Sequence, residues 1–351
     1  MKKGKLILQD GSVYEGISFG SEVSKNGEIV FSTAMVGYPE SLTDPSYNSQ
    51  ILVSTYPLIG NYGVPKTEYE NGLIKNFESE KIHVSGLIVS EYSENYSHWK
   101  AEKSLSDWLK ENNVPALYGI DTRELTVKLR EHGSMPAKII FDEDLYFTDL
   151  GNQNLVNNVS TKEVITYGKG EKTVVLVDCG VKYNIIRCLM SYEIKIIRVP
   201  WNYDFTKLEY DGLLISNGPG NPKMCVETIQ NVKKAFEIEK PIMGICLGNQ
   251  IIGLAAGSDT YKLKYGHRSH NQPVQLVGTN RVFMSSQNHG YALDDSKLSD
   301  KWEIFFKNLN DNTNEGIKHK NKPFFSVQFH PEAASGPNDT KFLFDEFIKL
   351  I

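Results

Sequence analysis

The run Ile242-Met243-Gly244-Ile245-Cys246-Leu247-Gly248 decides how this chain of 351 residues is read. Its first four residues make a continuous apolar stretch, the pattern of a parallel strand buried on both faces. Cys246 stands at the end of that strand. From Leu247 the sequence continues through Gly248, Asn249, Gln250, Ile251, Ile252, Leu254, Ala255 and Ala256 as a helical pattern that stops near Gly257. A sharp turn from strand to helix needs small neighbours, and Gly244 and Gly248 supply them. A thiol so placed meets the N-terminus of a helix, whose unpaired N–H groups favour the thiolate. The amide of Leu247 is expected to point at a carbonyl under attack. A cysteine in an apolar segment is most often just a small buried hydrophobe. The two glycines are what make Cys246 a candidate nucleophile.

Outward from this turn the rhythm is strand, helix, strand. Thr173-Val-Val-Leu-Val177, residues 194–199 and residues 212–216 read as further buried strands, with helices over 184–190 and 227–239 between them. The expected fold over 173–351 is α/β, an open and mostly parallel sheet flanked by helices. Its reactive groups should gather at the carboxyl ends of the strands.

The first 148 residues read differently. Short β-rich runs at 6–8, 12–14, 28–31, 50–54 and 83–90 are punctuated by Asp10-Gly11, Asn26-Gly27, Pro45 and Asn61. Ser104 opens a short helix. Asp121, with Glu124 three residues on, caps a second that Gly133 ends. A strand-rich α+β domain over 1–148 is expected, joined by a linker over 149–172 where Asn and Gln cluster. Gly168-Lys-Gly-Glu-Lys-Thr173 is no phosphate loop: it lacks the closing Gly-Lys-[Ser/Thr] and precedes its strand instead of following it.

Composition sets limits. With 40% hydrophobic and 23% charged residues and a formal charge of −5, nothing points to nucleic acid or to a membrane surface. Cys179, Cys188, Cys225 and Cys246 lie at no metal-finger spacing, so reduced thiols and no metal site are expected. Met1-Lys-Lys-Gly-Lys5 leads into no apolar leader core, and no apolar stretch approaches membrane-spanning length. A cytoplasmic protein is expected.

Two further fragments carry chemistry. His330-Pro331-Glu332 follows the strand pattern of 322–329 and offers a base with a carboxylate two residues away. An imidazole beside a thiol can take its proton and return it to a leaving group. Thiol and imidazole by themselves fit a peptidase or a transferase. Ser216-Asn-Gly218-Pro-Gly220-Asn-Pro222 follows the 212–216 strand, and its glycines and prolines can present N–H groups to an anion.

Together, Asn217-Gly-Pro-Gly220, Gly244-Ile-Cys-Leu-Gly248 and His330-Pro-Glu332 resemble the triad-type (class I) glutamine amidotransferases. Three more segments are similar to the small, glutamine-hydrolysing chain of carbamoyl-phosphate synthase. These are Ser285-Ser-Gln-Asn288-His-Gly290-Tyr291, Thr33-Ala-Met-Val-Gly37-Tyr-Pro-Glu40 and Leu42-Thr-Asp-Pro-Ser46-Tyr47.

The resemblance implies Cys246 as nucleophile, His330 as general base and acid, and Glu332 as the group that orients it. It implies that L-glutamine is held by Ser46, Gly218, Gly220, Leu247, Gln250, Asn288, Gly290 and Tyr291, with Ser46 supplied by the N-terminal domain. The ammonia released would pass to a large synthetase subunit that uses bicarbonate, ATP and Mg2+, with no cofactor in this chain. The carbamoyl phosphate would serve arginine or pyrimidine synthesis, or both. Alternatives are an amidotransferase of anthranilate or guanylate synthesis, and an assembly or regulatory subunit whose glutaminase is lost. One position departs from the family pattern: Asn249 stands where histidine is usual, and asparagine cannot become cationic.

Overall fold

Along the strand Lys3–Leu8, Gly4, Leu6 and Leu8 are buried while Lys3 and Lys5 face water. This is the period-two pattern of a sheet with one wet face. That strand pairs antiparallel with Val13–Ser18 and with Met135–Ile140. Lys25–Ser32, Gln50–Ser54, Gly86–Ile88 and Ala116–Tyr118 run parallel to one another, and the seven strands close into a barrel. Closure leaves no free edge, and Leu6, Leu8, Ile29, Ile51, Val53, Leu117 and Ile139 fill the interior. The expected α+β domain is thus a barrel with helices at its side. The Asp121 carboxylate caps the helix Thr122–His132 by accepting from the N–H groups of Arg123 and Glu124, and Gly133 at φ 93° ends it.

The computed structural model describes residues 2–351, which form two units divided between Gly151 and Asn152. The expected linker over 149–172 carries structure of its own. Val156–Val159 is a helical turn whose Val156 is buried in the core of the second unit. Ile165–Tyr167 pairs antiparallel with Ile194–Pro200 at the edge of the main sheet. Leu155 and Val156 are apolar enough to be drawn in among the surrounding Asn and Gln. Gly168 and Gly170 are there for packing: a Cβ on them would lie 2.3 and 2.0 Å from the carbonyl oxygens of Ile194 and Glu193.

The second unit is built on a ten-stranded sheet. Ile194–Pro200, Lys172–Asp178, Gly212–Ile215, Ile242–Ile245 and Phe324–Val327 lie side by side in that order, all parallel. Every residue of Gly212–Ile215, Ile242–Ile245 and Phe324–Val327 is buried, which is why these runs lack polar alternation. The sheet then continues antiparallel through Asn314–His319, Trp302–Asn308, Asp259–Leu276 and Val282–Asp294. The helices Tyr183–Met190, Val226–Ile238, Leu247–Ala255 and Phe342–Leu350 complete the unit. Among the described residues no helix is long and apolar enough to cross a membrane.

Candidate active site

Cys246 stands between the strand Ile242–Ile245 and the helix Leu247–Ala255, with φ 55° and ψ −104°. A non-glycine residue at positive φ is strained, by about 1–3 kcal/mol, and is kept only where its surroundings fix it. Here the Cys246 N–H donates to the Val327 carbonyl at 2.8 Å. Its own carbonyl accepts from the N–H groups of Asn249 and Gln250. The glycines on either side are required by contact: a Cβ on Gly244 would lie 2.8 Å from the Gly248 carbonyl oxygen, and one on Gly248 2.2 Å from that of Ile215. The thiol is buried, with Sγ 3.7 Å from the Asn288 carbonyl oxygen. Leu247 and Gly248 occupy the first turn of the helix, where N–H groups have no carbonyl of the preceding turn to bond.

Three residues past Val327, the His330 N–H donates to the Ser286 carbonyl at 2.9 Å, which pins the residue beside the long hairpin. Its Nδ1 donates to Glu332 Oε1 at 2.6 Å. Nε2 is buried and makes no other hydrogen bond, leaving it for the thiol. Burial alone would lower the His330 pKa. The Glu332 carboxylate and then the Cys246 thiolate outweigh burial and raise it to about 10. Burial pushes the Glu332 carboxyl up, but Lys182 and His330 overcome this and hold it at about 2. The imidazole beside the thiol is therefore held in its protonated form by the buried carboxylate behind it. Burial pushes the thiols of Cys179 and Cys225 upward.

The third part of the site is the loop after Gly212–Ile215. Ser216 Oγ accepts from the Cys179 N–H at 2.9 Å, and Asn217 Oδ1 accepts from the Lys182 N–H at 3.0 Å. A Cβ on Gly218 would lie 2.0 Å from the Cys179 carbonyl oxygen and 2.8 Å from Leu247 Cδ2. The loop is thus pressed onto the first residue of the nucleophile helix, and only glycine fits. Gly220, at φ 86°, turns the chain away.

Two family models match the chain. "Carbamoyl-phosphate synthase small chain, CPSase domain" matches residues 6–139 and "Glutamine amidotransferase class-I" matches residues 175–350. The chain belongs to the class-I glutamine amidotransferase family. Among curated relatives, "Multifunctional protein pyr1-3" of Dictyostelium discoideum is 51% identical over 99% of this chain and 17% of its own length. "Multifunctional protein CAD" of Squalus acanthias is 53% identical over 98% of this chain and 16% of its own. "Carbamoyl-phosphate synthase [ammonia], mitochondrial" of Homo sapiens is 52% identical over 99% and 23%. The chain therefore spans about a fifth of the length of these relatives.

Of the predicted glutamine-binding residues, Leu247 and Gln250 lie on the nucleophile helix and the Asn288 carbonyl lies against the thiol. Gln250 Nε2 donates to the Tyr291 carbonyl at 2.8 Å and to Gln328 Oε1 at 3.1 Å, tying the nucleophile helix to the hairpin strand Val282–Asp294. Asn288, Gly290 and Tyr291 lie on that strand, where Asn288 pairs with Arg268 and Tyr291 with Lys262 of the long strand beside it. Behind it, His267 donates to Gln287 Oε1 at 3.0 Å and to Asp311 Oδ2 at 2.8 Å, and His289 Nδ1 donates to the Tyr291 carbonyl. Ser46 belongs to the other unit. It is buried in the turn Pro45–Tyr47, where the Asp44 carboxylate accepts its N–H at 2.9 Å.

Asn249 is fully buried, with its side chain bonded to the strand Phe324–Val327 and to Gln328 just beyond it. It accepts from Ser326 Oγ at 2.8 Å and donates to Gln328 Oε1 at 3.2 Å. An amide that donates and accepts at once satisfies both neighbours, which is a structural account of asparagine at this position.

Sequence reasoning missed Lys182. Its Nζ lies 3.0 Å from Glu332 Oε1 with both side chains almost fully buried. It also passed over Gln328 and Ser326. A lysine or glutamine inside an apolar run was the available signal, since neither is buried without a partner.

Proposed function

We propose that this chain hydrolyses L-glutamine through Cys246, His330 and Glu332 and delivers the ammonia to a carbamoyl-phosphate synthase region. The observation that carries this is His330, locked by Glu332 at Nδ1 with its buried Nε2 left for Cys246. Such an arrangement places a thiol beside an imidazole that can exchange a proton with it and deliver one to a leaving amine.

The Cys246 sulfur attacks the side-chain carbonyl carbon of glutamine, forming a C–S bond and placing the charge on oxygen. The Leu247 amide and the Gly218–Gly220 loop are assigned as its donors. Collapse breaks the C–N bond as His330 Nε2 gives its proton to the nitrogen, and ammonia leaves. Water then attacks the thioester, passes a proton to the neutral His330 and releases glutamate, restoring the thiolate–imidazolium pair. Throughout, Glu332 keeps the imidazole oriented and stabilises its charged form. Gln250, Asn288, Gly290 and Tyr291 are assigned to the amino-acid end, as is Ser46, all on the resemblance.

The match of residues 6–139 to the small-chain domain supports carbamoyl-phosphate synthesis over another amidotransferase pathway. Bicarbonate and ATP chemistry is assigned to a synthetase region, on a separate subunit or on the same polypeptide as in the multifunctional relatives. The carbamoyl phosphate would enter arginine or pyrimidine synthesis. The human relative's name specifies ammonia, whereas here the assembled thiol, imidazole and carboxylate support glutamine as the nitrogen donor.

The test compares wild type with Cys246→Ser in the complete synthase. Glutamine-dependent carbamoyl-phosphate formation should vanish and ammonia-dependent formation should persist. Unchanged glutamine-dependent activity in the variant would refute the assignment.

A further inference from the structure

Lys182 is buried at the end of a rigid turn. The Asp178 carboxylate accepts from the N–H groups of Gly180 and Val181, both at 2.8 Å, and is paired with Arg198 at 2.7 Å, so the chain leaving the strand Lys172–Asp178 has little freedom. Immediately after Val181, the Lys182 N–H donates to Asn217 Oδ1, at the start of the glycine loop. Its Nζ reaches the other side of the site, 3.0 Å from Glu332 Oε1, and donates to the Ala333 carbonyl. Asn184 Nδ2 donates to the Glu332 carbonyl. Ala333 and Ala334 both have positive φ, a turn that alanine adopts only when held. The segment 182–184 holds it.

An ammonium in a dry interior is unfavourable unless its partner repays the lost hydration. The partner here is the carboxylate that orients His330, and both cations bind the same oxygen, Glu332 Oε1. Lys182 thus stabilises the anion while opposing a second positive charge on the imidazole.

We propose that Lys182 is a positioning residue for glutamine hydrolysis, which holds the Glu332 carboxylate by the oxygen it shares with His330, opposes positive charge on that imidazole, and braces the Glu332–Ala334 turn against the Asn217 loop. This rests on the glutaminase reading of the triad given above. Its electrostatic part is consistent with the directions at each group. Glu332 is held low, against burial, by Lys182 first and His330 second, and Lys182 opposes the rise at His330. The neighbouring histidines add no competing charge at neutral pH. Burial, then Lys182 and His330, lowers His270 to about 4, and burial, with His267, keeps His289 well below its usual range. Removing Lys182 therefore leaves His330 holding its proton more tightly, which hinders the deacylation step that needs neutral imidazole.

The experiment measures kcat and KM for glutamine across pH in the complete synthase, as wild type, Lys182→Met, Lys182→Gln and Lys182→Arg. Ammonia-dependent synthesis serves as the check that each variant is folded. Both uncharged variants should lose about tenfold in kcat at neutral pH, with KM within about threefold, and the acid limb of kcat should move up by about one pH unit. Lys182→Arg should recover most of the rate and the original limb. Should an uncharged variant fail to fold, the pH profile of Lys182→Arg and of the other uncharged variant still decides. Wild-type kcat and pH limbs in the folded uncharged variants would overturn the proposal. So would equal losses in all three variants with the limbs unmoved. Absence of glutaminase activity in the wild type would instead overturn the triad reading on which it stands.

Discussion

The Gly248 Cα and the Ile215 carbonyl are so close that a Cβ on Gly248 would lie 2.2 Å from that oxygen. The nucleophile helix is seated directly on the backbone of the neighbouring strand, and the position of Cys246 follows from that seat. Gly248→Ala must push the helix away from Ile215. The expected result is a loss of about 1–3 kcal/mol in stability, read by urea unfolding. Glutamine hydrolysis should fall about 100-fold, because a displacement of about 1 Å at a reacting atom costs that much.

Glu332→Gln keeps the shape of the side chain but removes the charge that both His330 and Lys182 face. The kcat for glutamine should fall by about 10²–10⁴ while KM changes little, since orientation and charge at the base are lost and the binding surface is not. Lys182 is left buried without its counter-charge, so stability should fall by about 3 kcal/mol. Steady-state kinetics with parallel urea unfolding separates the two effects.

Asn249 bridges Ser326 and Gln328 in the core beneath the nucleophile helix. Asn249→Ala strands the buried Ser326 hydroxyl, leaves Gln328 Oε1 only its bond from Gln250, and should cost about 1–3 kcal/mol. Because both side-chain bonds go to the strand end at Ser326 and Gln328, kcat at low temperature should change far less than the melting temperature. A collapse of kcat in a variant of normal stability would show that Asn249 acts on the reaction.

Burial lowers the His267 pKa, but Asp311 and Glu315 outweigh it and raise the value to about 9. A folded-state pKa above the unfolded one means that this charge stabilises the protein fully below about pH 6.5. That contribution is lost as pH rises through about 9. The melting temperature should decline across this window, and His267→Asn should flatten the decline. The strand holding Asn288 and Tyr291 is backed by this network, so a rise in the KM for glutamine should accompany it.

Much of this was legible in the sequence because local chemistry dictated it. Continuous apolar runs marked the parallel strands, Asp121 and Gly133 bounded their helix, and the glycines around Cys246 announced a tight turn. The closed barrel was not legible, since closure depends on pairings such as Lys3–Leu8 with Met135–Ile140 between distant short strands. The hairpin Asp259–Leu276 with Val282–Asp294 was hidden for another reason. Its polar residues, among them His267, Arg268, Gln287 and His289, are buried in a hydrogen-bonded network that breaks the usual alternation. Lys182 stood out only as a lysine in an apolar run, and its partner, Glu332, could not be named because it lies far along the chain.

The central claim is that Cys246 forms a γ-glutamyl thioester. Intact-mass and peptide spectrometry of the wild-type protein, acid-quenched during turnover with glutamine, tests it most directly. A glutamyl adduct confined to the peptide carrying Cys246, absent from Cys246→Ser and accumulating when deacylation is slowed, is the predicted result. Glutamine consumption by the wild type with no adduct on Cys246, or with an equal adduct in Cys246→Ser, would contradict it.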